Sequence, residues 1–460
     1  MKETNIIDTK DLVGKLVELF GWVANRRDHG KLIFIDLRDR TGIIQVVFSP
    51  DTKGYEIAQK LRNEWVVKIS GTIAERPEKM RNPEISTGSI ELQPSNIEII
   101  SEAETPPLPL DTDGYEIDEE VRMKYRYLDL RRPRMAKNLQ LRHRVTNLIR
   151  SYLTEQKFVE VETPTLTKTS PEGARDFLVP SRFHSGMFYA LPQSPQQYKQ
   201  LLMIAGVERY FQIAHCFRDE DLRGDRQFEH TQIDIEMSFV SEKEVRDITE
   251  SLMIYVVESS GKRVLQKPFP VYTHEEAVQK YGSDKFDLRP DPKDPDVFAF
   301  AWVIDFPLFA KDEESGKLTF AHNPFSAPKK EHVAKLLAGE DYEGLHAQQY
   351  DLVCNGYELA SGGVRISDPA VQRKVFEIMG LTDEETEERF GHLIHAYEYG
   401  APPHAGIAPG LDRLVMLLAG EKDIREVIAF PMSARGQTSV MNAPSPISPK
   451  QLKELRIKLE

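Results

Sequence analysis

The segment SEAETPPLPLDTDG, Ser101 to Gly114, divides this 460-residue chain and limits what can form on either side of it. Pro106, Pro107 and Pro109 fix φ and remove backbone donors, so neither a helix interior nor a central strand can run through them. Acidic and proline-rich, the segment reads as a linker. The residues before it are almost entirely short β-rich runs, and those after it mix strands with amphipathic helices. A chain of this length is expected to hold two or three domains. The boundaries follow the break: a first domain over 1–104, a linker or hinge over 105–135, and a larger domain over 136–460.

In the first domain the runs KLVELFGWV, LIFIDLRD, IIQVVF, WVVKISGTI and IELQPSNIEII are separated by turn signals such as Asp28-His29-Gly30 and Arg40-Thr41-Gly42. Five short strands suit a small closed barrel, of the OB type that often binds oligonucleotides or of the SH3-like type, and the pattern leaves both open. Beyond the linker, Leu141, Val145, Leu148, Ile149, Tyr152 and Leu153 recur at helical spacing and would bury one stripe. FVEVETPTL then alternates like a strand and stops at Pro164. The runs RYFQIAHCFR, TQIDIEMSFV, AFAWVIDFPLF and QYDLVCNGYELASGGVRI alternate with helices, so the fold class is α+β, with a mainly antiparallel sheet flanked by helices.

No apolar run is long enough to span a bilayer, and the opening MKETNIIDTKDLVGKL lacks the apolar stretch of a signal peptide. The two cysteines, Cys216 and Cys354, have no metal-ligand spacing, so a reduced, cytoplasmic protein without membrane association is expected. A net charge of −13 argues against a general nucleic-acid coat protein, yet phosphate attraction depends on patches. One patch stands out. Arg122 to Arg150 carries ten Lys or Arg against one acid, Asp129, and is either a phosphate-contacting surface or a basic linker with a solvated helix face.

Four segments place polar groups where packing alone would call for apolar ones. HCFRDEDLRGDRQFEHTQIDIEMSF sets Arg218, Glu220, Arg223, Arg226 and Gln227 in and around a turn, then Asp234 and Glu236 on one strand face; arginines there can grip phosphate oxygens at two points while acids fix their planes. NGYELASGGVRISD flanks two glycines with Glu358 and Arg365, and Asp351 lies seven positions before Glu358, near enough along a strand pair to offer two hard oxygen ligands to Mg²⁺. GAPPHAGIAPGLDRLVMLLAG is a glycine-rich strand-to-helix junction ending in Arg413, a setting that favours an anion. TSPEGARDFLVP and LPQSPQQYKQLLM carry Glu172, Gln196 and Lys199.

Together these segments resemble the class II aminoacyl-tRNA synthetases, and among them the bacterial aspartyl-tRNA synthetases. FVEVETPTL (motif near 158–167) is similar to the segment that forms the family's dimer interface around a proline, which implies a homodimer. FRDEDLRGDRQFEHTQIDIE (near 217–236) is similar to the arginine-bearing hairpin beneath ATP, and GIAPGLDR (near 406–413) to the segment whose arginine lies along the nucleotide. TSPEGARDF, LPQSPQQYKQLLM and SGGVRISD are particular to the aspartate enzymes. The resemblance runs nearly the whole length of the chain.

It implies the following roles. Arg218 contacts the α-phosphate and the substrate carboxylate, and with Glu220 and Arg413 forms the catalytic set. Asp219, Glu220, Gln227, Glu358 and Gly410, Leu411, Asp412 and Arg413 lie on the ATP side. Asp234 and Gln196 lie by the amino-acid ammonium, Lys199 and Arg365 bind the side-chain carboxylate, Glu172 closes over the substrate and His322 lies near it. Asp351 and Glu358 hold Mg²⁺, and in the barrel Phe34 and Gln45 contact the anticodon. The substrates implied are L-aspartate, ATP and tRNA(Asp). Lys199 and Arg365 would stay buried and under-paired against a neutral amide, which rejects asparagine.

Two departures stand out. The large insertion of bacterial relatives is absent after YGSDKFDLR, and Asn323 in AHNPFS replaces one of two paired histidines. Alternatives are an enzyme that also charges tRNA(Asn), an asparaginyl-tRNA synthetase, and a non-catalytic OB-fold tRNA-binding protein with a degraded nucleotide site.

Overall fold

The structure, a computed structural model, describes residues 4–169, 173–311, 316 and 318–459. It forms two compact units, Met1–Ala136 and Lys137–Glu460, so the 105–135 stretch groups with the barrel.

In the first unit β1 (Leu16–His29), β2 (Leu32–Asp39), β3 (Gly42–Phe48), β4 (Val66–Glu75) and β5 (Ile90–Ser101) close into a barrel in the order β1-β2-β3-β5-β4. β3 and β5 run parallel where the barrel closes. This is the OB arrangement, not the SH3-like one. Strand periodicity sends Ile33, Ile35 and Leu37 inward and leaves Phe34, Asp36 and Arg38 on the outer face. Past the barrel, the one acid of the basic run turns out to be its anchor. Asp129 is buried and receives Arg122 at 3.0 Å, Arg126 at 2.8 Å and Arg132 at 2.7 Å, so three of the run's cations face inward and cannot form a phosphate-contacting surface.

The second unit is built on an eight-stranded sheet. Its interior pairs are antiparallel, as expected; both outermost pairs, Val159–Glu160 with Arg209–Phe217 and Val271–Thr273 with Phe300–Ile304, are parallel, which makes the sheet mixed. The main core lies on one face. Val145, Ile149 and Leu153 of the Pro133–Glu155 helix and Val245, Leu252 and Val256 of the Glu242–Ser259 helix pack against Ile233, Ile235, Leu352 and Ile407. Along the Glu229–Ser238 strand, Ile233, Ile235 and Met237 fill that core, so Gln232, Asp234, Glu236 and Ser238 emerge on the opposite face. These four polar groups are buried as well, which costs free energy unless each finds a partner.

A bulge decides the neighbouring hairpin. Asp351 pairs with Ser361 and Leu352 with Ala360, but Val353 pairs with Glu358, leaving Leu359 unopposed. Without that extra residue Glu358 would fall on the core face; with it, Glu358 shares the face of Asp351. Gly362 and Gly406 lie on adjacent strands, and a Cβ on Gly362 would stand 2.4 Å from the Gly406 carbonyl oxygen. Gly362 is thus needed for strand–strand approach, and it also lines the cavity described below.

Candidate active site

On the polar face of the sheet lies a cavity of about 560 Å³, lined by groups from LPQSPQQYKQLLM, the arginine-bearing hairpin, NGYELASGGVRISD and the glycine-rich junction. One wall is a buried charge cluster. Lys199, near the start of the Gln196–Ile204 helix, places Nζ 2.8 Å from Asp234 Oδ1 and 3.4 Å from Glu236 Oε2. Arg365 donates from Nε to Glu236 Oε1 at 2.9 Å and from Nη2 to Oε2 at 3.2 Å. Lys199 is 2% exposed, and Asp234 and Glu236 not at all. Burial alone would raise the Glu236 carboxyl, but Arg365 and Lys199 more than offset it and hold the group below the ordinary carboxylate range. Gly406 makes room for this carboxylate, since a Cβ there would stand 2.0 Å from Glu236 Oε2. Without a ligand, Lys199 and Arg365 thus have carboxylate partners of their own: they share Glu236, Lys199 also holds Asp234, and the four side chains are formally neutral together. Gln232 donates to the second oxygen of Asp234 at 2.7 Å.

The opposite wall carries arginines. Arg218 and Arg226 lie 4.0 and 3.5 Å from Glu220, and all three line the cavity with Arg223 and His230. Arg413 is tied to the Glu358 carbonyl and to Asp225 Oδ2 at 3.0 Å, while its Nε is buried without a partner. A buried donor left unpaired in a cavity wall is a place for an anionic ligand.

At the third side Glu358 lines the cavity, and Asp351 is buried behind it, off the cavity lining. Burial and the charge of Glu358 push the Asp351 carboxyl well above its usual range, while Lys285 stands 2.9 Å from Glu358 Oε2. No group of three or more His, Cys, Asp or Glu side chains suited to a metal occurs among the described residues. Two hard oxygen donors fit a Mg²⁺ that takes its remaining ligands from phosphates and water, and a cation there would relieve the repulsion between the two carboxyls.

The cavity gathers Gln196, Lys199, Arg218, Glu220, Gln227, Asp234, His322, Glu358, Arg365, Gly410, Asp412 and Arg413. Several of these are occupied otherwise than expected. Both ends of the Gln227 amide are spent on the Met432 backbone, at 3.1 and 3.4 Å. Asp412 is buried, receiving Arg142 at 2.5 Å and the Thr231 N–H at 2.7 Å, so it braces the site from behind. Leu411 packs into the core, and Asp219 lies off the cavity beside Arg175. His322 stays exposed at the rim with its ring edge-on to Phe306. Asn323, in place of a histidine, accepts hydrogen bonds from the Phe325 N–H and the Ser326 hydroxyl and so caps a turn. Glu172 lies outside the described residues. In the barrel Phe34 is half-buried on the outer face, but Gln45 is buried with its amide held by Arg76 and Glu91, both at 3.2 Å.

Sequence reading missed roles for Glu236 and Lys285. Glu236 was marked by the same alternation that exposes Asp234, whereas nothing in the spacing of YGSDKFDLR singles out Lys285.

Residues 118–434 match the family described as tRNA synthetases class II (D, K and N), and residues 17–100 match the OB-fold nucleic acid binding domain. The chain belongs to the class II tRNA synthetases of the D, K and N group. Membership brings ATP, an amino acid and a tRNA as its reactants. The aspartate–tRNA(Asp/Asn) ligase of Rubrobacter xylanophilus is 43% identical over 572 residues, covering 97% of this synthetase and 95% of the relative. The aspartate–tRNA ligase of Geobacillus kaustophilus is 42% identical over 571 residues, covering 97% and 96%. Both aligned stretches exceed the 460 residues of this chain, so the relatives carry inserted sequence that it lacks. Among solved structures, asparaginyl-tRNA synthetase of Pyrococcus horikoshii with asparaginyl-adenylate superposes with a TM-score of 0.75 at 23% identity, covering 94% of this chain and 98% of that one. That likeness speaks for the fold. Among the described residues no helix is long and apolar enough to cross a membrane.

Proposed function

We infer that this synthetase is an aspartate–tRNA ligase, which activates L-aspartate with ATP and transfers it to the 3′ end of tRNA(Asp). The observation that carries the amino-acid choice is the charge balance of the buried cluster. In the empty site Lys199 and Arg365 are balanced by Asp234 and Glu236; an α-ammonium that takes Asp234 as its partner leaves the two cations sharing only Glu236, an excess of +1 that one side-chain carboxylate answers. Asparagine has nearly the shape of aspartate, so size cannot exclude it. Its neutral amide would leave the buried +1 unanswered, and a polar site of this kind can discriminate by about 10⁴–10⁵.

In the first step an oxygen of the aspartate α-carboxylate attacks the ATP α-phosphorus in line. The bond to the β-phosphate bridging oxygen breaks, and pyrophosphate leaves with that electron pair. In the second, the terminal ribose hydroxyl of the tRNA attacks the carbonyl carbon of aspartyl-adenylate, and AMP leaves. No protein nucleophile is needed. Asp234 and Gln196 hold the ammonium, Lys199 and Arg365 hold the side chain, and Arg218 aligns the two reacting groups. Arg218 and Arg413 stabilise charge on the five-coordinate phosphorus, and the free Arg413 Nε offers a donor already in place. Glu220 fixes Arg218 and Arg226, whose charges with those of Arg223 and Lys285 suit the leaving pyrophosphate. Asp351 and Glu358 would hold a Mg²⁺ that neutralises the phosphates. Phe34 offers a stacking face to an anticodon base. Gln45 joins such a contact only through the hydrogen-bonding capacity that Arg76 and Glu91 leave it.

The chain is proposed to work in the cytoplasm as a homodimer. The Val159–Glu160 strand ends the sheet with Val159 52% exposed, and Leu166 beyond Pro164 is 51% exposed, an open edge and apolar surface that a second copy would cover. Light scattering of the purified protein tests this. Aspartate-dependent pyrophosphate exchange, then charging of tRNA(Asp) and tRNA(Asn) transcripts, tests the activity. Exchange with asparagine in place of aspartate would reject the assignment. Since several relatives bear the Asp/Asn name, charging of both transcripts would extend it.

A further inference from the structure

We propose that His404 and Gln200, which lie behind the cavity wall, are positioning residues that fix the polarity of the Gln196 amide and thereby its grip on the α-ammonium group. The proposal rests on the reading of the cavity as an aspartate site. It begins from His404, which is fully buried on the His404–Pro409 strand and does not line the cavity.

His404 Nδ1 lies 2.8 Å from the Pro402 carbonyl oxygen. A carbonyl only accepts, so Nδ1 carries the proton. Burial keeps the ring below the ordinary histidine range and therefore neutral, with Glu236 acting against that and Arg365 and Lys199 with it. Nε2 is then a bare acceptor. The Gln200 amide nitrogen lies 3.2 Å from it and 3.0 Å from the Tyr397 hydroxyl, which uses both of its hydrogens. The Gln200 oxygen is thereby turned the other way, where it accepts from Gln196 Nε2 at 2.9 Å.

The consequence reaches the cavity. One Nε2 hydrogen of Gln196 is spent on Gln200, and this sets the amide so that Oε1, an acceptor, lies on the side away from Gln200 and is left to a ligand. An ammonium needs an acceptor, and an amide NH₂ there would oppose it. If the Gln196 amide turned over, its oxygen would face the Gln200 oxygen, and the lost hydrogen bond would resist the turn. Turning Gln200 over as well would set its oxygen against the bare His404 Nε2. One proton, on Nδ1 of a histidine outside the cavity, thus sets the sense of three linked groups.

The experiment compares aspartate with succinate, a dicarboxylate without the ammonium, using pyrophosphate exchange by the full chain. Gln196→Leu should raise the aspartate KM about tenfold or more, with succinate inhibition unchanged. His404→Phe and Gln200→Met should raise the aspartate KM about tenfold, with the ATP KM and the succinate Ki within about twofold of wild type. His404→Gln, whose amide oxygen can stand where Nε2 stood, should recover most of the loss and guards against a folding defect in the phenylalanine variant. Equal weakening of aspartate and succinate in the His404 and Gln200 variants would reduce these residues to structural ones and overturn the proposal, as would a wild-type aspartate KM in both. A wild-type aspartate KM in Gln196→Leu would overturn the site reading itself and the relay with it.

Discussion

Arg365 and Glu236 meet through two hydrogen bonds, at 2.9 and 3.2 Å, with both side chains buried and 129 positions apart in sequence. Truncating Arg365 leaves Glu236 with Lys199 alone, at 3.4 Å, so the cost is below the ~3–5 kcal/mol of a buried charge left with no partner. Arg365→Ala should therefore lower both stability and aspartate activation, the latter about 10²–10³-fold in pyrophosphate exchange, with the ATP KM little changed. Adding Glu236→Gln should restore much of the melting temperature and none of the activity. Near-normal exchange in Arg365→Ala would refute the binding role.

The same pair ties stability to pH. Glu236 titrates lower in the folded chain than in the unfolded one, so the unfolded state binds the proton more readily. The stabilisation is complete above the unfolded carboxylate pKa of about 4.3 and is lost as pH falls through the lowered folded value. Wild type should thus resist urea better than Glu236→Gln at pH 7, with the gap closing below about pH 4. A gap that is constant from pH 7 to pH 3 would show that the carboxylate charge is not what Arg365 and Lys199 require.

How far the sequence reveals this site depends on the range of the interaction. The alternation of TQIDIEMSF marks Asp234 and Glu236 on one face because side-chain direction in a strand is local. That Glu236 binds Arg365 and Lys199 is a property of the assembled sheet, which no local pattern encodes. The bulge at Leu359 that returns Glu358 to the side of Asp351 is similarly set by register with a neighbouring strand. Gln227 and Asp412 fall within recognisable segments, yet their side chains brace Met432, Arg142 and Thr231, since motif membership places a residue near a ligand without aiming its atoms. The barrel is legible from its five runs and turns. The burial of Gln45 beneath Arg76 and Glu91 is not, because it follows from the closure of β3 against β5.

Lys285 bears on the metal requirement. It stands 2.9 Å from Glu358 Oε2, where it balances the charge of a carboxylate beside Asp351. In Lys285→Met the two acids keep their places and lose their nearest ammonium. Titration of the nucleotide-free protein with Mn²⁺ should then show tighter binding than wild type, by about tenfold for one unit charge at this range. The ATP KM should rise in the same variant, because a cation has been removed from the phosphate end of the cavity. Unchanged Mn²⁺ affinity would mean that Lys285 does not compete for the site.

The barrel and the cavity can be separated by a single side chain. Phe34 is half-buried on the outer face of β2, opposite Arg27 on β1 and Val47 on β3, so its ring is carried by backbone pairing on both sides. Phe34→Ala removes an aromatic face without touching the barrel interior of Ile33, Ile35 and Leu37, and the fold should survive. Stacking of one base on an aromatic ring is worth about 1–3 kcal/mol, so the tRNA KM in charging should rise about 5- to 150-fold. Pyrophosphate exchange in the absence of tRNA should stay at the wild-type rate, since adenylate formation uses only the cavity of the second unit. A fall in exchange matching the fall in charging would mean that the substitution had damaged the protein as a whole, and would remove Phe34 from the tRNA contacts.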